Sequence, residues 1–378
     1  MSSDFEVVVI GGGIAGAAAA YHLSDRRTVA VVEAERHLSH HSTGRSAALF
    51  FENYGAAAVR PLTLASRPFF TDPPSELVDG KLTRPRGALW IARPDQAAAL
   101  EETAAEGKET GSTIVALTPA EVAARVPVVR PEFLEGGLWE PDPLDLDVAA
   151  IHQAFVRGMR ARGGRIINEA PVTALTRSGG LWRITAGDGH LTADVVVNAA
   201  GAWGDQVARL AGVQPVGLVP RRRTAFMVAG DPAWSEWPMV IDVDHDFYFK
   251  PDGPQLLCSP ADETPSEPVD ARPDPVDVAL AVERINRATT LEIRSVRSEW
   301  AGLRTFTPDR AMVIGPDPDE PAFVWAVGQG GTGIQTAPAA GELVAHLVNG
   351  QPLSSRLAEA GVRPDLLSPD RPGLRTSG

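Results

Sequence analysis

The stretch Val7–Leu23, VVVIGGGIAGAAAAYHL, decides how the rest of the chain is read. It opens on β-branched residues that follow Phe5, the composition of a strand buried on both faces of a parallel sheet. It turns through G-x-G-x-x-G, with Gly11, Gly13 and Gly16, and enters a helix pattern that runs to Leu23. A second strand, TVAVVE, then ends on Glu33. Strand, glycine turn, helix, strand and acid in this order predict a dinucleotide-binding unit. Gly11 allows the tight turn, Gly13 lets a pyrophosphate approach the backbone, and Gly16 lets the helix pack on the strand. Ile14 and Ala15 open the helix, whose free N–H groups and positive dipole end face the phosphates. Glu33, with Ala34 after it, accepts from a ribose hydroxyl, and an acid there disfavours a 2′-phosphate. NAD and FAD share this half, so the motif alone does not separate them.

A secretory leader does not fit the same stretch, because Asp4 and Glu6 stand where a basic segment is required. Nor does a membrane span, since only 15 uncharged residues separate Glu6 from His22. The 378 residues predict two domains or one elaborate one. A net charge of −13 repels phosphate backbones, so no nucleic-acid partner is expected, and Arg221, Arg222 and Arg223 are too few to reverse that. One cysteine, Cys258, excludes a disulfide framework or a thiolate metal cage within one chain. A cytoplasmic protein without an integral membrane segment is expected.

The segment HLSHHSTGRSAALFFENYG follows Glu33. His37, His40 and His41 have only Glu35 as a near acid, so a cofactor-facing loop is expected and no metal site. The loop is read as opening into a helix at Ser42, Thr43 and Ser46, with Arg45 adding a positive charge. The segment DLDVAAIHQAFVRGMRARGG is an amphipathic helix capped by Asp147. Four strand patterns follow and end in VVVNAAG, whose small residues Ala199, Ala200 and Gly201 leave room for a cofactor. Between Pro215 and Arg304 the texture is alternating strands plus one helix with Val278, Val282 and Ile285 on one face. That block predicts an antiparallel sheet covered by a helix. The segment AFVWAVGQGGTGIQT then returns to strand, glycine turn (Gly328–Gly333) and helix. A helix N-terminus here suits the flavin N1–C2=O edge, which becomes anionic on reduction, so the second turn favours FAD over NAD.

The fold class is therefore α/β (α+β overall): a discontinuous Rossmann-type FAD-binding domain (1–60, 142–214, 305–378) and an antiparallel-sheet substrate-binding domain (61–141, 215–304). The motifs GGGIAG, HSTGRSAA, VVNAAGAW, WAGLRTFTPD and GQGGTGIQT resemble the D-amino acid oxidase/dehydrogenase superfamily of FAD-dependent oxidoreductases, which includes glycine oxidase and sarcosine oxidase. The likeness runs from Gly11 to about Leu367, and within the superfamily it looks closest to bacterial D-arginine dehydrogenase. It implies that Gly11, Gly13, Gly16 and Glu33 hold the ADP half of FAD. It places Ser42, Thr43, Arg45, Ser46 and Ala47 at the flavin, Val172 at the adenine, and Ala200, Gly201 and Trp203 near the pyrophosphate. Gly330, Gly331, Thr332, Gly333, Ile334 and Gln335 close over the ribityl chain and pyrimidine. Arg304 and Tyr248 clamp a substrate carboxylate, Tyr54 is a lid, Arg223 lines the pocket, and the Gly331 carbonyl meets the substrate amine. The implied reaction is oxidative deamination by hydride transfer from Cα to flavin N5, with oxygen, a quinone or another acceptor taking the electrons.

Departures from the family pattern matter as much. D-arginine dehydrogenase has an acid where this chain has Gly87 and Ala88, and polar residues where it has Leu49, Phe50 and Phe51. With Leu49, Phe50 and Ala88 in the pocket, neutral or hydrophobic amino acids, of D configuration, are the expected substrates; Glu52 is the remaining acid able to pair with a cationic side chain. Gly302 stands where sarcosine oxidase tethers its flavin to cysteine, so noncovalent FAD is expected. Two alternatives remain open: glycine, sarcosine or cyclic imino acid oxidation, and a flavoprotein subunit without amine chemistry of its own.

Overall fold

The computed structural model describes residues 4–109 and 112–375. Its strand Phe5–Ile10 sits inside a sheet with neighbours on both sides, Val29–Val32 and Gly189–Asn198, all parallel. Val7 and Val9 enter one apolar core, while Val8 and Ile10 enter the other. A period of two carries apolar residues to both faces, which is why the run is continuously apolar rather than alternating. Arg165–Ile167 and Phe323–Val327 extend the parallel array at its two ends. A hairpin, Val172–Ser178 and Leu181–Ala186, and the strand Val313–Pro316 add antiparallel edges. Chain segments far apart in sequence thus share one sheet.

The first glycine turn is a steric requirement. Gly11 has φ +104°, a backbone region that side chains other than glycine rarely adopt. A Cβ on Gly16 would stand 1.9 Å from the Gly11 carbonyl oxygen, so only glycine lets the helix Ile14–Leu23 begin here. Across that helix lies Gly333–Val348, which starts at the second glycine turn.

The second sheet joins Val219–Ala229, Ser298–Phe306, Gln255–Ser259, Tyr248–Asp252, Met239–Asp242, Ala88–Ala92 and Gly136–Glu140, with Val115–Leu117 and Thr264–Pro265 at its edges. Its pairs are antiparallel except Met239–Asp242 against Ala88–Ala92. The helix Pro275–Ala288 covers one face through Val278 and Ile285, with Val282 packed at the margin. Fold class and topology agree with the sequence reading.

Two expectations are corrected. The helix Arg60–Thr71 lies beyond the boundary expected at residue 60, yet Leu62, Ala65 and Phe70 join the core beneath the first sheet. The chain changes sides only after Leu82, which is also in that core. And no helix opens at Ser42. Residues 36–45 form turns, then Leu49–Phe50 enters a small antiparallel sheet with Thr83–Pro85 and Leu144–Leu146. The hydroxyls read as a helix start are spent on tertiary bonds instead: the Ile14 N–H donates to Thr43 Oγ1 (3.0 Å), and Ser42 Oγ donates to the Leu303 carbonyl (2.6 Å). Among the described residues no helix is long and apolar enough to cross a membrane.

Gly16→Ala, which forces a methyl into the Gly11 carbonyl, is expected to lower stability by about 3 kcal/mol. Urea unfolding measures the loss, and cofactor retention on gel filtration should fall with it.

Candidate active site

Three chambers follow one another from the first glycine turn into the space between the two large sheets. The first, about 370 Å³, is lined by Gly11, Gly13, Glu33, Ala34, Val172, Ala200, Gly201 and Trp203. The middle one, about 150 Å³, is lined by Ile14, Ala15, Ser42, Thr43, Arg45, Ser46, Ala47, Gly330, Gly331, Gly333 and Ile334. The third, about 560 Å³, is lined by Leu49, Tyr54, Arg223, Tyr248, Arg304 and Gly331. Gly13, Ser42 and Thr43 wall both the first and second, while Ser46, Arg223, Tyr248 and Arg304 wall both the second and third. The passage is therefore continuous.

In the first chamber Glu33 is held at both oxygens. The Gly12 N–H donates to Oε2 (2.7 Å) and the Glu35 N–H to Oε1 (3.0 Å). Each carboxylate oxygen keeps a lone pair for a ribose hydroxyl. His152, on the buried face of the helix Val148–Ala161, donates from Nε2 to the Gly12 carbonyl (2.9 Å). Burial pushes its pKa down, so the imidazole is neutral. His41 pairs with Glu35 (3.0 Å) and lies against Trp203, ring centroids 4.6 Å apart. With His40 it forms the rim of this chamber.

The middle chamber fits an isoalloxazine in three respects. Helices start at its wall from both glycine turns, with Ile14 and Gly333 in the lining. Gln329 is in the lining, and its Oε1 is a buried acceptor with no hydrogen-bond partner among the described residues. The lining contains neither cysteine nor histidine, and Gly302 stands open to the chamber. Arg45 serves differently from the expectation of a free positive charge. Its guanidinium is bound to Asp270 (2.6 Å) and to the Ala301 (2.9 Å) and Ala271 (3.1 Å) carbonyls.

The third chamber gathers the expected clamp. Arg304 Nη1 donates to the Tyr54 hydroxyl (2.8 Å), and Tyr248 stands in the same wall. Gly331 is pressed against both partners: a Cβ there would lie 2.9 Å from the Tyr54 oxygen and 3.0 Å from Arg304 Nη1. Among the described residues no carboxylate pairs with Arg304. Arg223 is tied to the Asp262 carbonyl (2.8 Å) and to Glu263 (3.2 Å), and burial followed by the Arg304 charge lowers its pKa.

Three expected pocket or cofactor residues, Phe50, Ala88 and Thr332, stand elsewhere, and Gln335 lines the third chamber. Phe50 is buried against Phe70, centroids 5.5 Å apart, because strand alternation turns it into the core; its neighbour Phe51 lines the chamber. Ala88 is fully buried behind the wall, and Trp90, two residues along the same strand face, takes the lining position. Gln335 anchors the lid segment: it accepts from the Phe51 N–H (3.0 Å) and donates to the Phe51 carbonyl (3.1 Å) and Thr63 (3.1 Å). Thr332 turns away, donating to the Gln329 carbonyl (2.9 Å). Glu52 is committed to Arg67 (2.5 Å). Residues missed from the sequence are Trp90, Met239, Ile241, Asp244, His245, Glu263 and Arg310 in the third chamber, and Gln329 in the second. Gln329 stands inside the GQGGTGIQT turn and Arg310 directly after WAGLRTFTPD, so a motif signal was present for both; the others come from strands and loops of the second sheet and belong to no local motif.

Behind Tyr54 and Trp90 lies a smaller cavity of about 250 Å³ that holds Glu140. Asn53 Nδ2 donates to Glu140 (2.6 Å), and burial pushes its pKa up to about 7. A carboxyl that holds its proton longer folded than unfolded stabilises the fold at low pH and loses that contribution as pH rises from 4.5 through 7. Glu140→Gln should flatten the decline across that window, read as denaturation midpoint against pH.

The family model described as "FAD dependent oxidoreductase" (DAO) matches residues 6–347. Glycine oxidase of Bacillus licheniformis is 25% identical over 375 residues, covering 95% of this chain and 97% of that protein. Mitochondrial sarcosine dehydrogenase of Mus musculus is 27% identical over 93% of this chain, and the chain spans 40% of its length. The solved glycine oxidase of Geobacillus kaustophilus shares the fold, with a TM-score of 0.83 at 21% identity over 96% of this chain and 99% of that one. The chain belongs to the DAO family of FAD-dependent oxidoreductases and is a flavoenzyme with FAD as its cofactor.

Proposed function

We propose that the protein oxidises the carbon–nitrogen bond of a free α-amino acid with a neutral side chain larger than that of glycine. The observation that carries this reading is Arg304: a half-buried guanidinium bonded to the Tyr54 hydroxyl, with Tyr248 in the same wall and, among the described residues, no carboxylate at ion-pair distance. A buried charge is costly unless paired. A substrate carboxylate supplies the missing partner in bidentate form, with the Tyr54 and Tyr248 hydroxyls as further donors.

Charge and space narrow the side chain. Arg223, Arg304 and Arg310 bring three positive charges to the chamber, and Asp244 and Glu263 bring two negative ones. Desolvation at the chamber wall, then the Arg223 and Arg304 charges, push the His245 pKa down. One uncompensated positive charge matches one carboxylate and no other charge. Phe51, Trp90, Met239 and Ile241 offer apolar contact to the side chain. The volume of about 560 Å³ exceeds what glycine fills. Glu52, the acid that the sequence leaves for a cationic side chain, is bound to Arg67 and does not line the chamber.

These residues bind and orient. Arg304 and the phenols hold the carboxylate at the junction of the second and third chambers, which positions Cα toward the middle chamber. The two guanidinium charges disfavour an ammonium beside them, so the amine is held neutral and its proton leaves to solvent. Bound FAD supplies the two-electron acceptor. The product is then an imino acid, which water converts to a 2-oxo acid and ammonia. D configuration is our expectation for the substrate. The named activities of the relatives, on glycine and sarcosine, support the alternative of a smaller primary or secondary amine.

Anaerobic mixing with a panel of D-, L- and N-methyl amino acids should bleach the flavin fastest with neutral or hydrophobic D-amino acids. Fastest bleaching with glycine or sarcosine would establish the smaller-substrate reading. Arg304→Ala should cost roughly a thousandfold in kcat/KM while the flavin spectrum persists. The flavin-side lining, without cysteine or histidine, supports noncovalent attachment. Acid precipitation should accordingly leave a colourless pellet and a yellow supernatant.

A further inference from the structure

The third chamber holds a carboxylate of its own. Glu263 Oε1 lies 3.2 Å from Arg223 Nη2, and its two oxygens lie 3.2 and 3.1 Å from Arg310 Nη2. Both guanidinium groups are held independently of Glu263. Arg223 is anchored through Nε to the Asp262 carbonyl (2.8 Å), and Arg310 lies 4.0 Å over the Phe306 ring. Glu263, Arg223 and Arg310 all line the chamber that Arg304 faces. Two guanidinium groups around one carboxylate form an anion site, and here the protein fills it.

We propose that Glu263 is a specificity-determining residue: it occupies an anion site between Arg223 and Arg310 and so turns away amines that carry a second carboxylate. The inference rests on the reading that Arg304 holds the first carboxylate. A dicarboxylic substrate bound there would bring its second charge into a space already holding Glu263 and Asp244, with His245 beside them. Like charges brought together at one site repel, and that repulsion discriminates against the dicarboxylate. Removing the Glu263 carboxylate leaves Arg223 and Arg310 unpaired in the same chamber. Guanidinium forks recognise carboxylates in bidentate fashion, so the vacated position suits the distal carboxylate of an acidic amino acid.

The test uses the FAD-loaded protein and its Glu263→Ala and Glu263→Gln variants. Flavin bleaching is measured anaerobically with leucine and glutamate, each as both enantiomers. Malonate, a dicarboxylate without an amine, is titrated separately by its perturbation of the flavin absorbance. In the natural protein leucine is expected to win over glutamate. In both variants the glutamate-to-leucine ratio of kcat/KM is expected to rise roughly a hundredfold, and malonate to bind tighter by a similar factor. An unchanged ratio and unchanged malonate affinity in variants that retain FAD would overturn the proposal. So would a natural protein that handles glutamate as well as leucine. If no amino acid bleaches the natural protein, the amino acid reading itself fails. The malonate titration still decides the anion site: tighter binding in the variants supports it, and equal binding refutes it.

Discussion

Two helices meet at backbone contact, and the active-site geometry follows from that meeting. A Cβ on Gly341 would stand 2.6 Å from the Ala18 carbonyl carbon, so the helices Ile14–Leu23 and Gly333–Val348 touch through alanine and glycine rather than through large side chains. Each helix begins at a glycine turn. Packing them this closely brings the two turns, some three hundred residues apart in sequence, to the wall of one chamber. The positive ends of both helix dipoles then serve one ligand, which suits the phosphates at one end and an anionic reduced ring at the other. Small residues in Ile14–Leu23 that read as mere helix formers are the condition for this approach.

The second sheet contributes charge rather than shape. Ser298–Phe306 and Val219–Ala229 pair in register so that Arg304 stands opposite Arg221, with Arg223 two residues farther along the same strand. Two guanidinium groups held in one wall repel, and the lowered pKa of Arg223 records part of that repulsion. The fold tolerates the arrangement because Glu263 offsets Arg223 and the Tyr54 hydroxyl accepts from Arg304. What is left unbalanced among the described residues is a single half-buried positive charge at the wall of the middle chamber. That imbalance is the basis of the proposed carboxylate site.

Much of this was legible from short motifs. The glycine turns, Glu33, the hydroxyl loop and Arg304 each sit within a few residues of a recognisable pattern, and their backbone conformations follow from local sterics. Failures cluster where one residue's orientation decides. Phe50 and Phe51 are chemically equal neighbours, and only the pairing of Leu49 with Asp145 and of Phe50 with Leu144 tells which ring faces the chamber. Gln335 reads as a cofactor contact from its motif, yet its amide complements the Phe51 backbone from the opposite side of the site. Ser42 and Thr43 read as helix caps, and Thr43 does cap a helix N-terminus, that of Ile14–Leu23 rather than one of its own.

By itself the amino-acid sequence determined the class of the molecule: an α/β flavoenzyme with a divided cofactor domain, because glycine spacing, buried strand composition and a downstream acid are local signals with local physical causes. The substrate chamber belongs to the tertiary structure. Glu263, Arg310, His245 and Trp90 come from separate strands and loops of the second sheet, and no spacing in the chain announces that they converge. Electrostatics acts through space, so the balance of three guanidinium groups against two carboxylates exists only once the sheets are assembled. Arg304 stands out within its motif, and the structure adds what the motif does not carry: a chamber wall shared with Tyr54 and Tyr248 and, among the described residues, no carboxylate at ion-pair distance.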